Sequence, residues 1–291
     1  MDGSINEIWP GVFHYQAKQW STNSILVSRE GQVLVIDPSW TREEINRIHD
    51  HALSYDGPIH LLLTHADCDH ICGFGLFPEA QIIVERKSAE LINNGTAEAQ
   101  LLGALAEWDN HEPPVNLRFD HVFDAGDELK FGPFQIATFH APGHVLDGVV
   151  FNLLDEKLMV VGDYLCSTFG PLISGSISAY RHTTERICRS LVQYKPRWII
   201  PGHGPLLSFA DATEMAQDDL RYLEKIEKQA AFARENHLSY GHSLVMLLDI
   251  EPPRTSKADI EIYSPRLLIA RTALHEAGMD RPEEAVKVWG P

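Results

Sequence analysis

The chain is short of positive charge: 24 Lys and Arg stand against 41 Asp and Glu over 291 residues, a formal net charge of −17. A surface that acidic repels phosphate backbones and anionic headgroups unless its basic residues cluster, and the sequence has no such cluster. Neither a nucleic acid nor a membrane is therefore expected as a partner, and nuclease is the least favoured enzymatic class. Long apolar runs are also missing. Residues 59–63 and 198–200 are typical, far short of the roughly 20 that cross a bilayer. Cysteine is scarce, at Cys68, Cys72, Cys166 and Cys188 only, and the opening Met1 to Glu7 lacks the basic flank and apolar run of a signal peptide. Reduced thiols in a cytoplasmic protein are the expectation. There is no Gly-x-Ser-x-Gly elbow, no phosphate-binding glycine loop and no Cys-x-x-Cys pair, so the motif-bearing routes to serine, nucleotide and dithiol chemistry are absent. What remains is ordinary globular composition, 44% hydrophobic and 22% charged, with one unusual count, 15 His.

Residues 8–37 alternate short apolar runs with turn residues and predict a β-hairpin or meander. A helix over 41–53 follows behind a Thr41 cap, then a buried strand at 59–63. Residues 88–110 read as helical, 119–139 as further strands turning at Gly126 and Gly132, and 149–154 with 158–161 as a strand pair. A helix at 183–194 and a last buried strand at 198–200 complete this part. After about residue 208 the pattern turns helical. Asp211-Ala212-Thr213-Glu214 resembles a capping box, and Leu220, Leu223, Ile226, Ala230 and Ala233 form an amphipathic stripe. Ser264-Pro265 opens another helix that Gly278 closes. The expected organisation is a mixed α/β part over 1–208 and a helical extension over 209–291.

Four apolar strands run directly into metal-ligand residue types. Residues 59–63 lead to Thr64-His65-Ala66-Asp67-Cys68-Asp69-His70, and 134–139 to Ala141-Pro142-Gly143-His144. Residues 158–161 lead to Gly162-Asp163, and 198–200 to Pro201-Gly202-His203. Ligand types just past the carboxyl ends of four strands imply that the ends meet on one edge, where layered folds place their sites. Alone, any one of these residues is more often a cap or a solvated loop residue. The cluster is different, because several carboxylates in one tight turn repel unless a cation joins them. Seven candidates, His65, Asp67, Asp69, His70, His144, Asp163 and His203, are too many for one tetrahedral ion and suit two ions sharing a bridge.

This set resembles the metallo-β-lactamase superfamily, whose Thr-His-x-His-x-Asp-His signature stands here as residues 64–70, with His144, Asp163 and His203 matching the later positions in order. The resemblance spans roughly residues 8–208. It implies an α/β fold, an αββα sandwich, with a dinuclear site at its edge and a helical C-terminal extension that covers that site. It is nearer to the glyoxalase II branch than to the zinc β-lactamases, which place Cys where Asp163 stands. It further implies a first metal on His65, Asp67 and His144, a second on Asp69, His70 and His203, Asp163 bridging, and a bridging hydroxide as nucleophile, with Asp69 the catalytic carboxylate. Two divalent ions are expected, zinc first, with iron or manganese as alternatives.

One departure stands out: the usual second His of the motif is Asp67. A carboxylate oxygen reaches about as far from Cβ as imidazole Nδ1, so Asp67 remains a candidate ligand. Three carboxylates and a hydroxide then balance two divalent cations, where the usual set leaves a positive charge. The metals should be weaker Lewis acids, and the hard oxygen shifts preference from zinc toward iron or manganese. The leading function is hydrolysis of a small ester, thioester or lactone. The alternatives are an iron-dependent oxidoreductase, with a persulfide dioxygenase or flavodiiron-like site, and a degenerate member that binds a ligand without turnover. A small-molecule substrate is expected, and a homodimer is left open.

Other residues carry weaker expectations. Tyr164 and His182, the latter placed with Arg181 on the loop after Asp163, are candidate substrate contacts. Cys68 and Cys72 read as small core side chains, His140 as a strand residue, Asp37 as a hydrogen-bond acceptor, and Trp20 and Trp108 as pocket lining.

Overall fold

The computed structural model describes residues 4–107, 117–254 and 265–279. Among them, two sheets pack face to face and helices cover both outer faces, an αββα sandwich. The first sheet has the strands β1 (Ser4–Trp9), β2 (Val12–Gln16), β3 (Asn23–Arg29), β4 (Gln32–Ile36), β5 (Ile59–Leu62), β6 (Gln81–Glu85) and β7 (His121–Phe123), in sequence order. It begins as an antiparallel meander and becomes parallel from β4 onward. The second sheet is ordered β12-β11-β10-β9-β8, from β8 (Glu128–Phe131), β9 (Phe134–His140), β10 (Val149–Leu153), β11 (Leu158–Val160) and β12 (Trp198–Ile200). Only β11 and β12 in it are parallel.

The period-two alternation of strand side chains sorts apolar residues into three cores. Ile25, Val27, Leu34, Ile36 and Leu62 point inward and meet Phe134, Ile136, Val149, Phe151 and Val160 of the other sheet. The intervening Leu26, Val33, Val35, Leu61 and Leu63 point outward to Ile45 and Ile48 of α1 (Arg42–Leu53) and to Phe74 and Phe77. On the opposite side Phe139, Val150, Met159 and Ile199 pack under α5 (Ile177–Tyr194) and α6 (Phe209–Glu235). Strands buried on both faces read as near-continuous apolar runs, which is why these stand out in the sequence.

Several boundaries differ from expectation. The helical stretch 88–110 is two helices, α3 (Arg86–Asn93) and α4 (Thr96–Glu107), because Gly95 turns left-handed at φ +79 between them; residues 108–110 and Trp108 lie outside the described residues. The helix expected at 183–194 begins six residues earlier, capped by the Ser176 side chain. The capping box of α6 is Ser208 with Asp211, not Asp211 with Glu214, since Ser208 is the last extended residue and its hydroxyl accepts from the Asp211 backbone N–H. Beyond it lie α7 (Tyr240–Leu248) and α8 (Pro265–Glu276). Ala212, Ala216, Leu223 and Ile226 of α6 share one core with the second sheet, so the helical region packs directly on the sandwich.

Candidate metal centre

Four strand ends meet at one edge of the sandwich, each followed by a turn bearing ligand types. The Val149 N–H donates to the Thr64 carbonyl at 2.9 Å and joins β5 to the second sheet. Gly202 N–H donates to the Gly162 carbonyl at 2.6 Å and joins the turns after β12 and β11. Asn23 fastens the His203 turn to β3: its amide nitrogen donates to the carbonyls of Pro201 and Gly204, each at 2.8 Å. Gly202 has no space for a side chain, since a Cβ there would stand 2.1 Å from Asp163 Oδ1.

All seven candidates converge. Asp67 Oδ2 lies 3.6 Å from His65 Nε2 and 3.2 Å from His144 Nε2, and Asp163 Oδ2 lies 3.4 Å from the same His144 nitrogen. On the other side Asp69 Oδ2 is 3.6 Å from His70 Nε2 and 3.3 Å from His203 Nε2. Asp163 Oδ1 stands 3.2 Å and 3.3 Å from those two nitrogens. The Asp163 carboxylate thus offers one oxygen to each group. Four tetrahedral donors at 2.0–2.1 Å from an ion are about 3.3–3.4 Å apart, which matches these separations.

The hydrogen bonds behind the imidazoles hold each Nε2 toward the centre. His70 Nδ1 donates to Asp37 at 2.9 Å, His144 Nδ1 to the Leu172 carbonyl at 3.0 Å and His203 Nδ1 to the Trp20 carbonyl at 3.1 Å. His65 Nδ1 lies 3.0 Å from the Thr64 hydroxyl, which itself donates to Asp37. Outer partners of this kind fix the tautomer that metal ligation requires. The inward Nε2 atoms of His65, His70 and His144 and Oδ1 of Asp163 are buried without a hydrogen-bond partner. Leaving such groups unpaired is expensive, and a pair of divalent cations would satisfy all of them at once. The residues therefore fit a dinuclear centre.

Charge tells the same story. Burial opposes ionisation of Asp67, but the close approach of His144 and the charges on His144 and His65 outweigh it and hold the carboxyl at about 2. Burial likewise opposes charge on His144, yet Asp163 and Asp67 drive it up to about 9. His70 and His203 are raised against their burial by Asp69 and Asp163. Without a cation the carboxylates hold protons on these imidazoles, and a metal takes the protons' place. Asp67 occupies the N-cap position of the short helix α2 (Cys68–Ile71), yet its side chain does not cap it. It is given to the histidines instead.

Tyr164 is buried, 2% exposed, and its hydroxyl donates to the Pro142 carbonyl at 2.7 Å and accepts from the His144 N–H at 3.2 Å. Its work is to hold the His144 turn. His182 is exposed within α5, not on the loop after Asp163. Asp37 is a shared acceptor, taking the Thr64 N–H as well at 2.8 Å. His140 ends β9 with Nε2 on the Leu146 carbonyl. Cys72 is buried in the first outer core with Cys68 packed against it, and burial pushes both thiols up. Beside the His203 group stands an aromatic wall: Trp20, 38% exposed and stacked on buried Trp40 at 5.8 Å, and Phe169, 5.0 Å from the His203 ring. Sequence reasoning missed Thr22, which donates to Asp69 at 3.2 Å, and Asp147, which accepts from the Ala66 N–H and the Ser88 hydroxyl.

The sequence profile of the metallo-beta-lactamase superfamily matches residues 17–203. Among curated proteins, the chain is 31% identical over 147 residues to "Probable metallo-hydrolase YqgX" of Bacillus subtilis, covering 49% of this chain and 65% of that protein. It is 32% identical over 106 residues to the mitochondrial persulfide dioxygenase ETHE1 of Bos taurus, 35% of this chain and 31% of that one. It is 32% identical over 69 residues to the hydroxyacylglutathione hydrolase of Brucella ovis, 23% and 27%. The chain thus spans less than two thirds of the length of each of these relatives. A solved metallo-beta-lactamase from Pontibacter korlensis superposes with a TM-score of 0.57 at 17% identity, covering 76% of this chain and 99% of that one. At that identity the likeness shows the fold alone.

Proposed function

Because the chain belongs to the metallo-β-lactamase superfamily, we propose that it is a dinuclear metal-dependent hydrolase of a small ester, thioester or lactone. The observation that carries this reading is the Asp163 carboxylate, whose two oxygens face two separate His/Asp groups at 3.2–3.4 Å. His65, Asp67 and His144 would hold one ion and Asp69, His70 and His203 the other, with Asp163 shared. When bound, such a pair polarises a carbonyl oxygen and lowers the pKa of coordinated water. The chain's own residues do the rest. Asp37, Leu172 and Trp20 keep the imidazoles aimed inward. Asp69, held by Thr22 and set between His70 and His203, would be the carboxylate that orients an attacking water. Trp20 and Phe169 offer an apolar wall to the acyl or leaving group and shed water from that side.

The similarity to hydroxyacylglutathione hydrolase supports thioester or ester cleavage. A second reading, an iron-dependent oxidoreductase, is favoured by the Asp67 carboxylate at the usual imidazole position and by the similarity to a persulfide dioxygenase. A panel of esters, thioesters and lactones, run beside oxygen-consumption assays with persulfides, separates the two. Chelator-sensitive hydrolysis, lost in Asp69→Ala, supports the first reading. Oxygen uptake without hydrolysis overturns it in favour of the second.

A further inference from the structure

We propose that Arg254, from the helical C-terminal region, is a positioning residue that fixes the Asp163–His203 side of the centre through the Cys166 carbonyl; this rests on the metal-dependent reading above. The turn after β11 is one the chain does not adopt unaided. Gly162 and Leu165 both have positive φ, +56 and +59, a region in which a leucine's Cβ crowds its own carbonyl. Something must hold it. Arg254 Nε–H donates to the Cys166 carbonyl at 2.9 Å, three residues past Asp163. The chain at Gly170 passes beside Pro252 and the Arg254 carbonyl.

The held turn runs from Asp163 to the His203 side of the centre. Cys166 is buried, and its thiol donates to the carbonyl of Tyr164, the residue after Asp163, at 4.0 Å. Ser167 Oγ stands next to Gly204, where a Cβ would meet it at 2.6 Å. Phe169, on the same turn, faces the His203 ring. A shift at Cys166 therefore moves the bridging carboxylate, the His203 turn and part of the aromatic wall together.

The anchor behind Arg254 is costly. Its Nη2 pairs with Asp219 of α6, a carboxylate of zero exposure whose second oxygen has no hydrogen-bond partner. Burial pushes the Asp219 carboxyl up to about 6 despite the Arg254 charge. Apolar residues of similar volume fill such a place at no loss of stability. What they cannot supply is a guanidinium fork that grips Asp219 with one arm and aims Nε–H at a carbonyl with another.

The test uses the full-length zinc-loaded protein and follows zinc transfer to a chromogenic chelator together with Tm. The double variant Asp219→Leu with Arg254→Met should keep or raise Tm while zinc leaves at least about tenfold faster, the scale of lost outer support at a metal site. Arg254→Lys, which keeps the charge without the fork, should also accelerate release at an unchanged Tm, and it serves if the double variant does not fold. Release at the wild-type rate from either folded variant overturns the proposal while leaving the metal-dependent reading intact. Wild-type protein that takes up none of zinc, iron and manganese overturns that reading and the proposal with it.

Discussion

Replacing Asp67 by His probes the electrostatics of the centre most sharply. The substitution removes one negative charge from the His65–His144 group, where Asp67 Oδ2 lies 3.2 Å from His144 Nε2. Two unit charges about 4 Å apart at an effective dielectric of about 20 interact by about 4 kcal/mol. The Asp67 side chain is 36% exposed, so solvent screening removes at least half, leaving about 2 kcal/mol, or about 1.5 pKa units. Asp67→His should therefore move the acid limb of the kcat/KM profile down by about that amount. The sign follows from charge: a more positive site releases its proton at lower pH. The assay is a pH-rate series on both proteins with the best substrate of the panel, after metal content has been equalised. An acid limb that stays in place, or moves upward, refutes the reasoning.

Three further outcomes are expected. Asp37→Ala removes the acceptor shared by His70 and Thr64, and metal affinity measured by competition with a chelator should fall about 10- to 100-fold; an unchanged affinity would show that His70 needs no partner to stay aimed. Gly202→Ala drives a Cβ to 2.1 Å from Asp163 Oδ1, so the purified variant should lose the shared ligand and carry less than half the wild-type metal, read by elemental analysis; full metal content would show that the turn can retreat. Metal binding should release protons and weaken as pH falls below about 9, because the metal-free centre holds His144 protonated up to that point and ligation needs neutral imidazole. Calorimetry in two buffers of different ionisation enthalpy measures this, and a buffer-independent heat at pH 7 would contradict it.

The candidate ligands were legible in sequence because each sits within a few residues of the end of a strand rich in apolar residues. Strand and turn together leave little freedom in where His65, His144, Asp163 and His203 come to rest. The αββα order was expected from the resemblance that residues 64–70, His144, Asp163 and His203 carry. His182 was misplaced because Gly170 to Ser176 reads as a glycine- and serine-rich loop, and the helix start depends on one serine cap. Tyr164 carried no sign of its inward hydrogen bonds. The outer partners were invisible for a different reason. Trp20 reaches His203 across 183 residues of chain and Asp147 reaches Ala66 across 81, contacts that no local pattern encodes. Arg254 is the extreme case, an isolated arginine whose partners, Asp219 and the Cys166 carbonyl, are brought to it only by the packing of α6 on the second sheet.

Seven side chains from four strand ends are proposed to hold two metal ions. Elemental analysis of the protein purified without added metal, counted as zinc, iron and manganese per chain, measures this. About two divalent ions per chain are expected, all removable by a strong chelator. Less than about half an ion of any kind, with no uptake when zinc, iron or manganese is supplied, would contradict it.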